Sequence, residues 1–192
     1  MSVWGTIVST VREIFQTILV SLAIFLFVYV FLVQPHRVKG DSMYPNFFDG
    51  ELLLTEKVTY RIYEPKRGDV VVFRAPTGRK VDFIKRIIGL PGETVRVGDG
   101  EIFVNGKKLT ESYETQATGG NVSTTLGQDQ YLVLGDNRGS SSDSRSFGPI
   151  EKSSIRGRAL LVYWPFYKSK SAGGLRIVSR VNYGVPDTFY DR

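Results

Sequence analysis

Cysteine is absent from this 192-residue chain, and histidine occurs once, as His36. The first absence removes thiol catalysis, disulfide scaffolding and cysteine-based zinc sites together. The second makes any histidine-dependent triad rest on His36 alone. A long basic run and a nucleic-acid motif are missing too. The net charge of +6 comes from dispersed Lys and Arg and reads as general surface character. No internal repeat is visible. With 42% hydrophobic and 23% charged residues, wholesale disorder is excluded.

What is present begins with one apolar run. Residues 15–33, FQTILVSLAIFLFVYVFLV, carry no charge. As a helix this run covers about 28 Å, against a hydrocarbon core of roughly 30 Å. A cleavable leader has a shorter apolar region and a small-residue exit site, whereas this run leaves through LVQPHRVKG. The reading is an uncleaved transmembrane anchor at 15–33, after a short cytoplasmic segment at 1–14. The orientation signal is weak. Arg12 precedes the run and Arg37 and Lys39 follow it, so a Lys/Arg count leans by one residue towards a cytoplasmic main body.

Beyond the anchor the chain reads as β structure. Candidate strands lie at 51–57, 69–73, 81–89, 93–97, 101–106, 130–136 and 158–164. They are runs of β-branched and aromatic residues punctuated by Gly, Pro and Asp. Asn105-Gly106 is a hairpin turn, since both residue types accept positive φ. The Ser/Thr/Gly/Gln-rich stretch 111–129 reads as a surface excursion. Residues 166–192 read as a weakly specified extension with a strand at 175–181. The expected fold class is mainly β, a β-rich body at 34–165 behind one N-terminal transmembrane helix.

Three stretches carry chemistry. GDSMYP places Ser42 in a turn just past the anchor, either as a turn former or as a nucleophile. A nucleophilic serine needs a base, and His36, beside the membrane, is the less suitable candidate. Lys85, in VDFIKRIIGLPGE, is bracketed by Phe83, Ile84, Ile87 and Ile88. An apolar setting lowers a lysine pKa, which at its ordinary value leaves only about one lysine in a thousand neutral near pH 7.4. The plain alternative is an outward lysine on an alternating strand. The third stretch, GDNRGSSSDSRSFGP at 135–149, offers carboxylates to pair with Arg86 and hydroxyls to orient a neutral lysine.

In order, GDSMYP, RGDVVVF, KRIIGLPGE and GDNRGSSSDSRSFGP, following an anchor, resemble type I signal peptidase, the bacterial membrane-anchored Ser-Lys peptidases, in a smaller Gram-positive-like form. The resemblance runs from the anchor to about residue 164. It implies a serine endopeptidase with Ser42 as nucleophile, Lys85 as general base and Ser141 as the hydroxyl that orients the lysine. It pairs Asp136 with Arg86 and Asp143 with Arg145 as supports. Met43, Pro45, Asp82, Phe83 and Ile84 are implied around the substrate cleft. Gly40 stands where some members place an oxyanion-binding serine, so the Ser42 amide is the more secure donor. No metal or cofactor is implied. The partners implied are the lipid bilayer and exported preproteins with A-x-A-type signal peptides, and no nucleic acid. The catalytic body is implied to lie on the extracytoplasmic face of the plasma membrane, which takes precedence over the charge count. A self-cleaving repressor-like peptidase would need a DNA-binding module where the apolar run stands. A membrane-tethered peptide-binding β domain would not need Ser42, Lys85 and Ser141 together.

Overall fold

The computed structural model describes residues 3–78, 80–111, 117–169, 172–181 and 183. Helix α1 (Val3–Phe27) runs on through a wider π-type turn, Val28–Leu32. The 26 residues Ile7–Leu32 have a mean hydropathy of 2.5, and none of them is buried within the chain. A long apolar helix that the described residues leave unburied is consistent with a membrane anchor.

The body is built from strands β1 (Val33–Arg37), β2 (Leu52–Glu56), β3 (Val70–Arg74), β4 (Asp82–Gly89), β5 (Thr94–Gly98), β6 (Glu101–Val104), β7 (Lys107–Lys108), β8 (Val122–Thr125), β9 (Gln130–Leu134), β10 (Ile150–Glu151), β11 (Ile155–Trp164), β12 (Lys168–Ser169), β13 (Ala172–Gly173) and β14 (Arg176–Ile177). The main antiparallel sheet runs β1-β2-β11-β3-β4-β9-β10, with β14 also on β11. A smaller sheet runs β7-β6-β5-β8, its β6–β7 hairpin turning at Asn105-Gly106, where both residues have positive φ. The mainly-β expectation therefore holds.

Alternation along the central strands buries both faces of the main sheet. Val70 and Val72 of β3 enter one cluster with Met43, Phe47, Leu53 and Val162, while Val71 and Phe73 enter another with Ile87, Tyr131 and Val133. A third cluster lies between the sheets and joins Ile88, Leu132 and Leu134 to Val95, Val97 and Ile102. Each such side chain, fully buried, contributes about 1.5–3 kcal/mol.

Strands β1, β8, β10, β12 and β13 fall outside the expected ones, and β1 and β8 are the two of more than two residues. β1 follows the anchor without a break and contains Pro35 and His36, yet it pairs along its whole length with β2. β8 lies inside the expected surface excursion and pairs with β5 through Val122, Ser123, Thr124 and Thr125. The strand expected at 175–181 shortens to Arg176–Ile177, which pairs with Leu161 and Val162. Residues 112–116 of the excursion and 170–171, 182 and 184–192 of the extension lie outside the described residues.

Candidate active site

Three connections meet at one end of the main sheet. Ser42 lies on the segment from β1 to β2. Lys85 and Arg86 lie on β4, opposite Val71 and Val70 of β3. Arg86 also stands opposite Leu134, so the chain leaving β9 brings Gly135 and Asp136 beside β4. The register thus joins three stretches that are distant in sequence.

At the meeting point Lys85 Nζ donates to Ser42 Oγ at 2.6 Å and to the Ile84 carbonyl at 2.9 Å. Lys85 is 3% exposed, which rules out the outward-facing alternative. Its pKa is lowered to about 8, chiefly by burial, with the nearby Asp143 and Asp136 carboxylates acting against the shift. Ser42 is half-buried and opens onto a cleft of about 750 Å³ lined also by His36, Asp82, Phe83, Ile84 and Lys85. The Ser42 N–H has no hydrogen-bond partner among the described residues.

The supports are dense. Arg86 clasps Asp136 with two bonds, Nε to Oδ1 at 2.8 Å and Nη2 to Oδ2 at 2.7 Å, and Asp136 also accepts from Asn46 Nδ2 at 2.9 Å. Arg145 holds Asp143 at 2.8 Å, and Asp143 in turn accepts the Gly135 N–H at 3.0 Å. Burial alone would raise the Asp143 pKa, but the bonds from Arg145 and Gly135 outweigh it and lower it. Ser141 Oγ is buried and meets hydrogen-bond geometry with neither Lys85 nor any other described group. It lies close enough to Asp143 to help favour the charged carboxylate.

Gly135 explains how these groups come so close. A Cβ at this position would lie 2.2 Å from Ser141 Oγ and 2.5 Å from the Ser42 carbonyl, so only glycine fits between them. The Asn137 N–H donates to that same Ser42 carbonyl at 3.0 Å, stitching the Ser42 turn to the loop after β9.

Other expected site residues are placed differently. Asp82, Phe83 and Ile84 line the cleft, and Asp82 is also paired with Arg74 at 2.9 Å. Met43 is buried in the core beneath Ser42, and Pro45 is exposed on the turn that follows; neither lines the cleft. Gly40 takes φ +76, and its N–H donates to Asp49 Oδ1 at 2.7 Å. His36 lines the cleft with Nε2 buried and unbonded, and burial lowers its pKa against the opposing pull of Asp82. Among the described residues no three histidine or carboxylate groups converge as a metal site would require.

Sequence reading missed Gly135, Asn46 and Asn137, and it missed a second clamp. Glu51, 1% exposed, accepts from the Phe48 N–H, the Gly173 N–H and both terminal nitrogens of Arg176. Arg176 also donates to the Asn46 carbonyl at 2.5 Å and lies over the Phe47 ring. The only local signal was a buried-looking glutamate opening a hydrophobic strand. The RGD and PGE stretches acquire a reason as well. Arg67 and Glu93 form a buried bidentate pair that ties the start of β3 to the start of β5.

The chain was compared with known proteins. A profile described as signal peptidase, peptidase S26, matches residues 11–164. Among curated relatives, the probable signal peptidase I-2 of Synechocystis is 36% identical over 163 residues, covering 82% of this chain and 75% of its own. Signal peptidase I T of Bacillus subtilis is 37% identical over 170 residues, covering 82% of this chain and 88% of its own. A crystal structure of a signal peptidase I from Enterococcus faecalis, 33% identical, overlays 50% of this chain and 97% of its own with a TM-score of 0.46. With the family match spanning the whole apolar run 15–33, the Ser42 turn, β4 and the loop after β9, this chain belongs to the signal peptidase family, peptidase S26, and is a serine peptidase.

Proposed function

We propose that this chain removes N-terminal signal peptides from exported precursors through a Ser42–Lys85 dyad and an acyl-enzyme. The observation that carries the reading is the 2.6 Å contact between Lys85 Nζ and Ser42 Oγ, in surroundings that lower the lysine pKa to about 8. A lysine tuned to that range is neutral in a useful fraction near physiological pH and accepts a proton at modest cost.

In this reading Lys85 takes the Ser42 hydroxyl proton as Oγ attacks the scissile carbonyl. The unpartnered Ser42 N–H stabilises the oxyanion, and loss of one such donor typically costs about 2.7–4 kcal/mol. The Gly40 N–H is already given to Asp49, so Gly40 serves by allowing the turn rather than by donating. Lys85 then returns its proton to the leaving amine and activates the water that hydrolyses the ester. Ser141 orients the lysine when substrate closes the cleft. Asp136–Arg86 and Asp143–Arg145 hold the loop after β9, and Met43 and Pro45 shape the nucleophile's turn from beneath and beyond it. Substrate lies along Asp82, Phe83 and Ile84, with small residues at the first and third positions before the cut. The apolar run 15–33 anchors the body in the plasma membrane, with residues 34–165 on the extracytoplasmic face, beside a precursor whose apolar segment lies in the same bilayer. Sharing a membrane raises the effective concentration of substrate.

The test is cleavage of a precursor bearing an A-x-A site by the detergent-solubilised chain and by Ser42→Ala and Lys85→Met. Both variants are expected to be inactive while folded. Cleavage by Lys85→Met at the native rate removes the dyad.

A further inference from the structure

A second cavity, of about 730 Å³, opens away from Ser42 against the last turn of the apolar span, at Val30. Its other walls bring together Lys57, Arg61, Lys152 and Arg156. Two acidic residues, Asp129 and Glu151, also line it, and Lys152 is ion-paired with Glu64, so the excess of positive charge rests on Lys57, Arg61 and Arg156. The position is fixed by the backbone: the Lys57 N–H donates to the Leu32 carbonyl at 2.9 Å, and Lys57 Nζ to the Val30 carbonyl at 3.2 Å.

The arginines here are unlike most others in the body. Arg67, Arg74, Arg86, Arg96, Arg138, Arg145, Arg158 and Arg176 each face a carboxylate. Arg61 and Arg156 are exposed, and among the described residues their guanidinium groups make no hydrogen bond or ion pair. Two open guanidinium forks on the walls of one cavity suit a phosphate, whose oxygens each fork can bind in pairs. Where the cavity lies narrows the source. Val30 belongs to the apolar span Ile7–Leu32, so the cavity stands where hydrocarbon gives way to headgroups. Tyr29 and Phe31, exposed on the same turn, offer apolar surface along which acyl chains can run. Asp129 and Glu151 are acceptors suited to headgroup hydroxyls.

We propose that this cavity binds the phosphodiester of an anionic, hydroxyl-bearing phospholipid headgroup, with Arg61 and Arg156 on the phosphate and Lys57 setting the surrounding field. The proposal rests on α1 being a membrane anchor and is independent of the peptidase chemistry. Bound lipid fixes the side of the body that faces the bilayer, so it sets the tilt of the sheet relative to the membrane.

The test embeds the full chain in nanodiscs of phosphatidylcholine with a minor fraction of phosphatidylglycerol. Lipid retained after release is identified by native mass spectrometry. The native chain is expected to retain phosphatidylglycerol selectively. Arg61→Gln/Arg156→Gln should weaken that selectivity about thirtyfold, the worth of two basic residues at an anionic membrane surface. Lys107→Gln, on the smaller sheet, should leave it unchanged. Arg61→Lys/Arg156→Lys, which keeps the charges but loses the forks, should fall between the native chain and the glutamine variant, and native selectivity in it overturns the guanidinium assignment. Equal retention by the double glutamine variant overturns the site, as does equal retention of phosphatidylcholine. Displacement of the lipid by millimolar inorganic phosphate overturns the lipid assignment in favour of a soluble phosphate. A chain that does not enter the discs overturns the anchor and the site together.

Discussion

Replacing Lys85 by methionine should change stability in a way that depends on pH with a calculable amplitude. The lysine pKa falls from 10.5 to about 8 in the folded chain, where Lys85 is 3% exposed. At 1.36 kcal/mol per pKa unit, that shift corresponds to about 3 kcal/mol. Below pH 8 the lysine is charged in both folded and unfolded chains, and the folded state bears this penalty in full. Between about pH 8 and 10.5 the unfolded chain holds a proton that the folded one has released. Native stability therefore rises through that window and levels off above it. Methionine cannot titrate. Its other effects, including loss of the bonds to Ser42 and the Ile84 carbonyl, do not vary with pH over this range. Titrations shared by the two chains cancel in the difference. The stability of Lys85→Met minus that of the native chain should thus fall by about 3 kcal/mol from pH 7.5 to 10.5. Guanidinium unfolding followed by tryptophan fluorescence measures it at both ends. A difference that stays constant, or that rises with pH, refutes a buried lysine with a lowered pKa.

Three further outcomes follow from the same contacts. In the native chain kcat/KM should climb tenfold per pH unit and level off near pH 8, as neutral Lys85 accumulates; a plateau already reached at pH 6 excludes that lysine as the base. Gly135→Ala should lower kcat about a hundredfold, because its methyl meets Ser141 and the Ser42 carbonyl at 2.2 and 2.5 Å and must push the nucleophile's turn aside. Turnover at the native rate would mean that the loop after β9 gives way freely. Arg176→Ala should destabilise the fold by about 3 kcal/mol by leaving the buried Glu51 carboxylate without its counter-charge. Adding Glu51→Gln should recover part of that loss in the same unfolding assay, and no recovery would deny that the loss is electrostatic.

How far the chain could be read in advance depended on how local each signal was. The apolar span, the strands rich in Val, Ile and Leu, and the Asn105-Gly106 turn announce themselves within a few residues. Ser42, Lys85, Asp136 and Asp143 stood out because motifs surround them. The misses are residues whose reason lies far off in the chain. β8 is polar and becomes a strand only because β5 has an edge to pair with, as in Thr94 opposite Thr125. β1 hides behind the anchor, since a run ending at 33 gives no local mark where helix turns to strand. Arg176 looks like one more basic residue in a loose extension until the fold sets it against Glu51, 125 positions earlier. Gly135 resembles any turn glycine, and its role shows only when Ser141 and Ser42 close around it.

The absence of a linker between α1 and β1 has a consequence for what can be cut. Val33 begins β1 directly after Leu32, and β1 is hydrogen-bonded to β2 over its full length, so Ser42 is joined to the apolar helix through a paired strand rather than a free tether. At about 3.3 Å per residue, the five residues of β1 span roughly 17 Å of paired strand. With α1 in a bilayer, that strand is a ruler. On the proposed peptidase function, it would select scissile bonds by their elevation above the hydrocarbon edge, so a precursor's spacer length would become a criterion for cleavage alongside its side chains.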